Sequence, residues 1–297
     1  MKNISLLLLV VAYSIVGSAK EIYVTPGGTE KANGSISYPF HSIDDARKMA
    51  QQYAGKESLT IYLNDGIYYL DKTIKFTSKD SGTKKFPIYY KAVNEGKAII
   101  SGGKHLNVKW TTYKNEIFVC DIPNGFDIDQ LFIDNKRETM ARYPNSIPGK
   151  NVFDRWVLSH DAKADAATDA LAKEKVAQWK NPKGAYLHAM HRSLWGDMHW
   201  LVTGKKGESK LKLEGGWQNN RPDKMHKKYR FIENVFEELD APGEWYYNKE
   251  ESLLYYYPRK DFDIKTAKVE IVSLRHLFEF NGTKEKSVTY SLARLNF

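Results

Sequence analysis

The sequence predicts a mainly β protein: a right-handed parallel β-helix, beginning with an N-terminal cap and its first coils, interrupted by an antiparallel β-rich insertion and C-terminally truncated. Three observations lead there. Short strands recur between turns at a near-constant spacing, a lone helix precedes them, and from about His105 the recurrence gives way to hairpin patterning. The boundaries that follow are a leader over 1–19, cap and first coils over 20–104, an antiparallel β-rich insertion over 105–268, and a resumed, incomplete β-helix over 269–297.

Glu21-Ile-Tyr-Val-Thr25 is a short strand of β-branched and aromatic residues ended by Pro26-Gly27-Gly28. Ser42-Ile-Asp-Asp45 then resembles a capping box, with Asp in the usual Glu place, opening a helix to about Tyr53 with Ile43, Ala46, Met49, Ala50 and Tyr53 on its apolar side. A helix ahead of a run of strands suits a cap over the edge of a first coil. Strands follow at Leu59 to Leu63, Thr73 to Phe76, Pro87 to Ala92 and Ala98 to Ser101, separated by turns at Asn64-Asp65-Gly66, Lys79 to Gly82 and Asn94-Glu95-Gly96. Ile61 to Ile88 and Ile74 to Ile99 are each roughly 25 to 27 residues, a spacing that fits one coil per repeat. Short strands with turn signals also fit a flat sandwich, and only the repetition favours the solenoid.

In the insertion, strand-like runs lie at Glu116 to Ile122, Gln130 to Ile133, Ala185 to His191, His199 to Thr203, Lys210 to Glu214 and Tyr229 to Glu233. A hairpin follows, Glu244 to Tyr247 with Ser252 to Tyr257, turning at Asn248-Lys-Glu. One helix is expected between Thr168 and Trp179, N-capped by Thr168, with Ala167, Leu171 and Val176 on one side. Val269 to Val272, Leu277 to Phe280, Val288 to Tyr290 and Leu292 to Phe297 read as solenoid strands again, and Leu295-Asn296-Phe297 looks like the middle of a coil.

Bulk properties restrict the setting. Met1-Lys2-Asn3, the apolar run Ile4 to Ala12 and Val16-Gly17-Ser18-Ala19 have the three parts of a secretory signal peptide cleaved near Ala19. The apolar run is shorter than the about 20 residues a bilayer span needs. The expected location is therefore periplasmic or secreted, in a bacterium, without a membrane span. Cys120 is the only cysteine, so no intramolecular disulfide forms and packing must supply the stability. The net charge of +9 fits either attraction to an acidic polysaccharide or an ordinary lysine-rich surface, since the lysines are spread along the chain. Export and the absence of any nucleic-acid motif argue against DNA or RNA as a partner.

Several segments together resemble a known family. They are Tyr62-Leu-Asn-Asp-Gly-Ile-Tyr-Tyr-Leu70, Asp80-Ser-Gly-Thr83, Ile100-Ser-Gly-Gly103, Gln130-Leu-Phe-Ile-Asp-Asn135, Arg142-Tyr-Pro-Asn145, Glu233 to Tyr247, Leu254-Tyr-Tyr-Tyr-Pro258 and Leu277-Phe-Glu-Phe280. In their order and spacing they are similar to the N-terminal half of β-helix proteins of glycoside hydrolase family 141. The resemblance implies a pectin-lyase-like β-helix with an inserted β-sandwich-like domain, and a glycosidase acting on plant cell-wall polysaccharide; fucosidase and xylanase activities occur in the family. It also implies paired catalytic aspartates on coils downstream of this segment, so no catalytic residue is carried onto this chain. The stretch Ser287 to Phe297 departs from the family's next coil.

Within the chain, glycosidase chemistry calls for two carboxyl groups about 5 to 10 Å apart. Asp240 and Glu244 are one candidate pair, but Asp-Ala-Pro-Gly is a turn sequence and the structural reading is favoured. Glu237 and Glu238 are expected to face solvent. The segment Tyr186 to Trp200 is dense in His and Trp. Metal binding by His188, His191 and His199 is disfavoured, because i,i+3 positions on a strand point to opposite faces. For sugar binding, Trp195, Trp200 or Trp217 would stack on a pyranose while His191, Arg192 and Asp197 bond its hydroxyls; the competing reading places these tryptophans in the core. Arg142-Tyr143 either lines a groove or closes a strand. No phosphate loop, Cys/His zinc pattern or nucleophile elbow appears, and no cofactor or metal is expected.

The expectation is the N-terminal portion of an exported glycoside hydrolase acting on a polysaccharide or oligosaccharide, inactive alone because the catalytic coils are absent. The alternatives are a non-catalytic carbohydrate-binding protein and a polysaccharide lyase. An open last coil would also favour self-association through that end.

Overall fold

The computed structural model describes residues 19–28, 30–146, 169–218, 221–222, 224–260, 263–283 and 291–293. The expected signal peptide, the Thr168 cap with Ala167, and most of the final segment lie outside those residues. The chain divides into two compact units, one formed by Met1–Gly102 with Leu274–Phe297 and the other by Gly103–Ser273.

The first unit opens with β1 (Lys20–Val24) and α1 (Ile43–Ala50), followed by β2 (Leu59–Leu63), β3 (Gly66–Tyr69), β4 (Ile74–Thr77), β5 (Ile88–Ala92) and β6 (Ala98–Ser101). The helix starts where Ser42 accepts the Asp45 N–H at 3.1 Å and donates its hydroxyl to the Asp45 carboxylate at 2.7 Å. Its buried residues, Ile43, Ala46 and Ala50, join Ile22, Val24, Leu59, Ile61 and Leu63 in one apolar cluster. β2 pairs in parallel with β1 on one side and β5 on the other, and β3 pairs in parallel with β6. Alternation along β2, Leu59, Ile61 and Leu63 buried and Thr60 and Tyr62 half-buried, is the period-2 signature of a strand with one face in a core.

The register corrects the spacing read from the sequence. Ile61 lies opposite Tyr90 rather than Ile88, and Ile99 lies opposite Ile67 rather than Ile74. Apolar residues at alternate positions look alike to a spacing count, so the count finds the repeat without aligning it. Turns repeat with the strands, and Asn94 donates to Asp65 of the preceding turn at 3.1 Å. Asp80 is buried beside α1, where it accepts from Arg47 at 2.7 Å, Gln51 at 2.8 Å and the Thr77 N–H at 2.7 Å.

The second unit runs through β7 (Gly103–Leu106), β8 (Thr111–Lys114), β9 (Ile117–Asp121), β10 (Leu131–Ile133), β11 (Lys136–Arg137), β12 (Thr139–Met140), β13 (Arg142–Tyr143) and α2 (Lys173–Gln178). It continues with β14 (Tyr186–His191), β15 (Asp197–Lys205), β16 (Leu211–Gly215), β17 (Trp217–Gln218), β18 (Arg221–Pro222), β19 (Met225–Glu233), β20 (Glu244–Asn248), β21 (Leu253–Tyr257) and β22 (Val269–Val272). Three larger sheets result, in the orders β11-β10-β22-β7, β12-β20-β21-β9-β8 and β13-β19-β14-β15-β16. Leu131, Ile133, Val269 and Ile271 of the first meet Cys120, Trp245, Leu254 and Tyr256 of the second in one core. Burial pushes the Cys120 thiol there up to about 12, so it stays protonated and serves as a small apolar side chain.

Val269–Val272, expected to resume the solenoid, instead pairs antiparallel with β7 and β10 in the second unit. Its alternating pattern suits either direction of pairing, which is why the sequence did not settle it. The chain returns to the first unit as β23 (Phe278–Asn281), parallel to β4, and β24 (Ser291–Ala293), parallel to β5. The helix expected from Thr168 begins at Lys173, with Ala172 at the cap and no side-chain cap bond. Asp169 instead accepts the Leu171 N–H at 3.0 Å and forms an ion pair with Arg230, which holds the chain in a turn before the helix. Among the described residues, no helix is long and apolar enough to cross a membrane.

Candidate functional site

The β13-β19-β14-β15-β16 sheet presents two unlike faces. Leu187 and Ala189 of β14, Met198, Trp200 and Val202 of β15, and Ile232 of β19 pack with Val176 and Trp179 of the α2 region. The other face carries Tyr186, His188, His199, Phe231 and Glu233, because Tyr186 stands opposite Leu201 and Glu233, and His188 stands between His199 and Phe231. Strand alternation thus separates an apolar side from a side rich in titratable groups.

On that second face a continuous polar chain runs across three strands. His188 Nε2 lies 2.8 Å from Glu233 Oε1, His188 Nδ1 lies 2.6 Å from His199 Nδ1, and His199 Nε2 lies 3.0 Å from Asp197 Oδ2. The His188 ring stacks flat on Phe231, with centroids 4.5 Å apart and an interplanar angle of 9°. The Arg142 guanidinium sits 3.8 Å over the same Phe231 ring and donates through Nε to the Pro144 carbonyl at 2.9 Å. Burial and the neighbouring His188 hold His199 below its ordinary pKa, although Asp197 and Glu233 pull the other way.

The six residues expected to bind sugar separate in the structure. Trp195 is 74% exposed and its indole stacks on the His191 imidazole, with centroids 5.1 Å apart and an interplanar angle of 14°. His191 is buried beneath the tryptophan, and its Nδ1 accepts the Ser193 N–H at 3.0 Å. Arg192 and Asp197 are exposed at the two ends of the same β14–β15 connection, and Asp197 is engaged by His199. Trp217 is 61% exposed on β17. Trp200 is excluded as a stacking platform: it is 7% exposed and belongs to the apolar core, as its inward position on β15 dictates.

The acidic candidates also resolve. Glu244 Oε2 accepts the Asp240 and Ala241 N–H groups at 3.2 and 3.1 Å, closing a turn in which Gly243 takes φ +90°. Burial raises the Glu244 carboxyl to about 8, against the pull of the two amides and Arg142. Glu238 does not face solvent as expected. It is buried, accepting from Trp179 Nε1 at 2.5 Å and pairing with Lys175 at 2.8 Å. Both groups hold local structure, and neither belongs to the face that carries the histidines.

The sequence reading kept His188 and His191 apart, and they do point to opposite faces; it missed the cross-strand partner. The available signal was the hairpin itself. Counting outward from the turn at Ser193-Leu194 sets His188 against His199 and Leu187 against Trp200.

Comparison with known proteins places these features. The family model of the GH141 insertion domain matches residues 115–259. Among solved structures, the chain is similar to one titled glycoside hydrolase, with a TM-score of 0.72 at 20% identity, over 93% of this chain and 50% of that one. Over 88 residues it is 39% identical to pectate lyase PEL9 of Emericella nidulans, covering 30% of this chain and 20% of that protein. The chain therefore spans half the length of the glycoside hydrolase and a smaller part of the lyase. With residues 115–259 matching the GH141 insertion domain and a fold like that of a glycoside hydrolase, the chain is similar to GH141 and pectin-lyase-like proteins.

Proposed function

We propose that this chain is the N-terminal portion of an exported, carbohydrate-active protein of the glycoside hydrolase type. In this reading the first unit is the opening of a right-handed parallel β-helix, and the second presents an aromatic surface to a plant cell-wall polysaccharide. The parallel pairings β1-β2-β5, β3-β6 and β4-β23 support the β-helix. The observation that carries the carbohydrate reading is Trp195, held open to solvent on a buried histidine. A flat indole kept exposed and braced matches the apolar face of a pyranose, and nothing in core packing requires it.

The reacting carboxylate pair of such an enzyme is assigned outside this chain, a reading supported by its half-length coverage of the glycoside hydrolase. Affinity electrophoresis of the purified chain in gels containing xylan or pectic polymers tests the binding. Retardation that weakens about fivefold to tenfold on Trp195→Ala, and less on Trp217→Ala, is the expected result. Release of reducing sugar by the chain alone would overturn its inactivity, and equal mobility with and without every polymer would overturn the carbohydrate reading.

The similarity to a pectate lyase and the net charge of +9 favour a second reading, a lyase-type protein acting on uronates. Binding confined to acidic pectic polymers and abolished by moderate salt would favour it. Equal binding to neutral xylan would remove it.

A further inference from the structure

The Glu233, His188, His199, Asp197 chain brings two imidazoles together with a carboxylate behind each. Glu233 lies 2.8 Å from His188 Nε2 and Asp197 lies 3.0 Å from His199 Nε2. The two Nδ1 atoms face each other across 2.6 Å.

We propose that this position is a binding site for one divalent transition-metal ion of the zinc, nickel or copper class, with His188 Nδ1 and His199 Nδ1 as ligands and Glu233 and Asp197 as orienting residues. Imidazole nitrogen suits these metals, and a carboxylate behind the far ring nitrogen is the usual support of a metal-ligating histidine. Here that support is present twice, from two different strands. His188 is fixed by its stack on Phe231, whereas the His199 side chain is 57% exposed and free to adjust. Two metal–nitrogen bonds of about 2.1 Å at a tetrahedral angle set the nitrogens about 3.4 Å apart, so the rings must part by somewhat less than 1 Å.

Among the described residues, no group of three or more His, Cys, Asp or Glu side chains could hold a metal ion. The site therefore has two protein ligands, and water or an oxygen of a bound sugar completes the coordination. Other charged or titratable groups on this face include Arg142 from β13, Tyr186 from β14, Tyr229 from β19, and Lys212 and Glu214 from β16.

The test is isothermal titration of the tag-free, chelator-treated full chain with zinc and nickel chlorides near neutral pH, with the histidine ring signals followed by NMR. One equivalent should bind, with broadening or shifts confined to His188 and His199. His199→Ala should weaken binding at least tenfold. Glu233→Gln should weaken it by about tenfold while leaving one equivalent, as expected of an orienting residue. His276→Ala, in the other unit, should change nothing. Absence of saturable binding would overturn the proposal. So would binding that survives His199→Ala. His199 is exposed, so that variant should fold; His199→Gln provides the same comparison if it does not.

Discussion

Among the described residues, the first unit buries Asp80 and Ser81 as its polar groups, whereas the second buries Glu138, Arg142, His191, Glu238, Glu244 and Ser252. The difference follows from topology. In the first unit, parallel strands repeat the same pairing, so aliphatic residues such as Leu59, Ile61 and Leu63 meet their counterparts Ile88, Tyr90 and Ala92 in register. Repetition fixes the arrangement with little help from charge. Its one buried carboxylate, Asp80, ties α1 to the turn after β4, where the repetition does not reach. The second unit mixes hairpins with pairings between distant strands, such as β12 with β20 and β9 with β21, and its irregular connections carry specific polar contacts: Glu244 under a turn, Glu238 on Trp179 and Glu138 on Arg259 at 2.8 Å. A repeated ladder specifies itself, and a non-repeating one needs buried charges to do so.

Four measurements sharpen or break that contrast. Ile61→Ala should have the largest effect, costing about 4 kcal/mol in urea unfolding, because it removes an interior side chain flanked by a strand on each side. Glu238→Ala should cost about 3 kcal/mol, since it strands Lys175 and the Trp179 indole N–H. A cost below about 1 kcal/mol would mean that the buried charges of the second unit are incidental.

Glu244 should make stability depend on pH. Its carboxyl is raised from 4.5 to about 8 in the folded protein, so the folded state binds the proton more tightly than the unfolded chain. The stabilisation is complete below about pH 4.5 and is lost as pH rises through about 8. Glu244→Gln, which keeps an acceptor for the Asp240 and Ala241 amides, should flatten the thermal midpoint across that window; an unchanged slope would assign the pH dependence elsewhere. The smallest effect belongs to Trp195→Ala, within about 0.5 kcal/mol of the parent stability, because the indole is exposed. A larger loss would show that Trp195 is a packing residue and would undercut its proposed role on a sugar.

Much of the first unit was legible in the sequence. Ser42 announced the helix, and the Leu59, Ile88 and Ala98 runs announced strands, because capping and period-2 burial are local properties. Strand direction was not legible: Val-Glu-Ile-Val at 269–272 reads the same whether it joins a parallel or an antiparallel sheet. The candidate site divided similarly. Trp195 and Trp217 were singled out by residue type, but type alone did not distinguish these exposed rings from Trp200, whose burial is decided by its parity on β15. The histidine pair lay hidden because its partners sit on neighbouring strands, and spacing along one strand says nothing about the strand beside it.

Gly216 has a φ of +75°, and a Cβ there would overlap the Trp200 indole. The backbone thus lies directly on a core side chain just before Trp217 turns outward. Trp200 is consequently an anvil for its exposed neighbour: the direction in which Trp217 projects is constrained by a buried aromatic ring. Enlarging residue 216 or shrinking residue 200 would re-aim Trp217 without altering a single exposed atom of it.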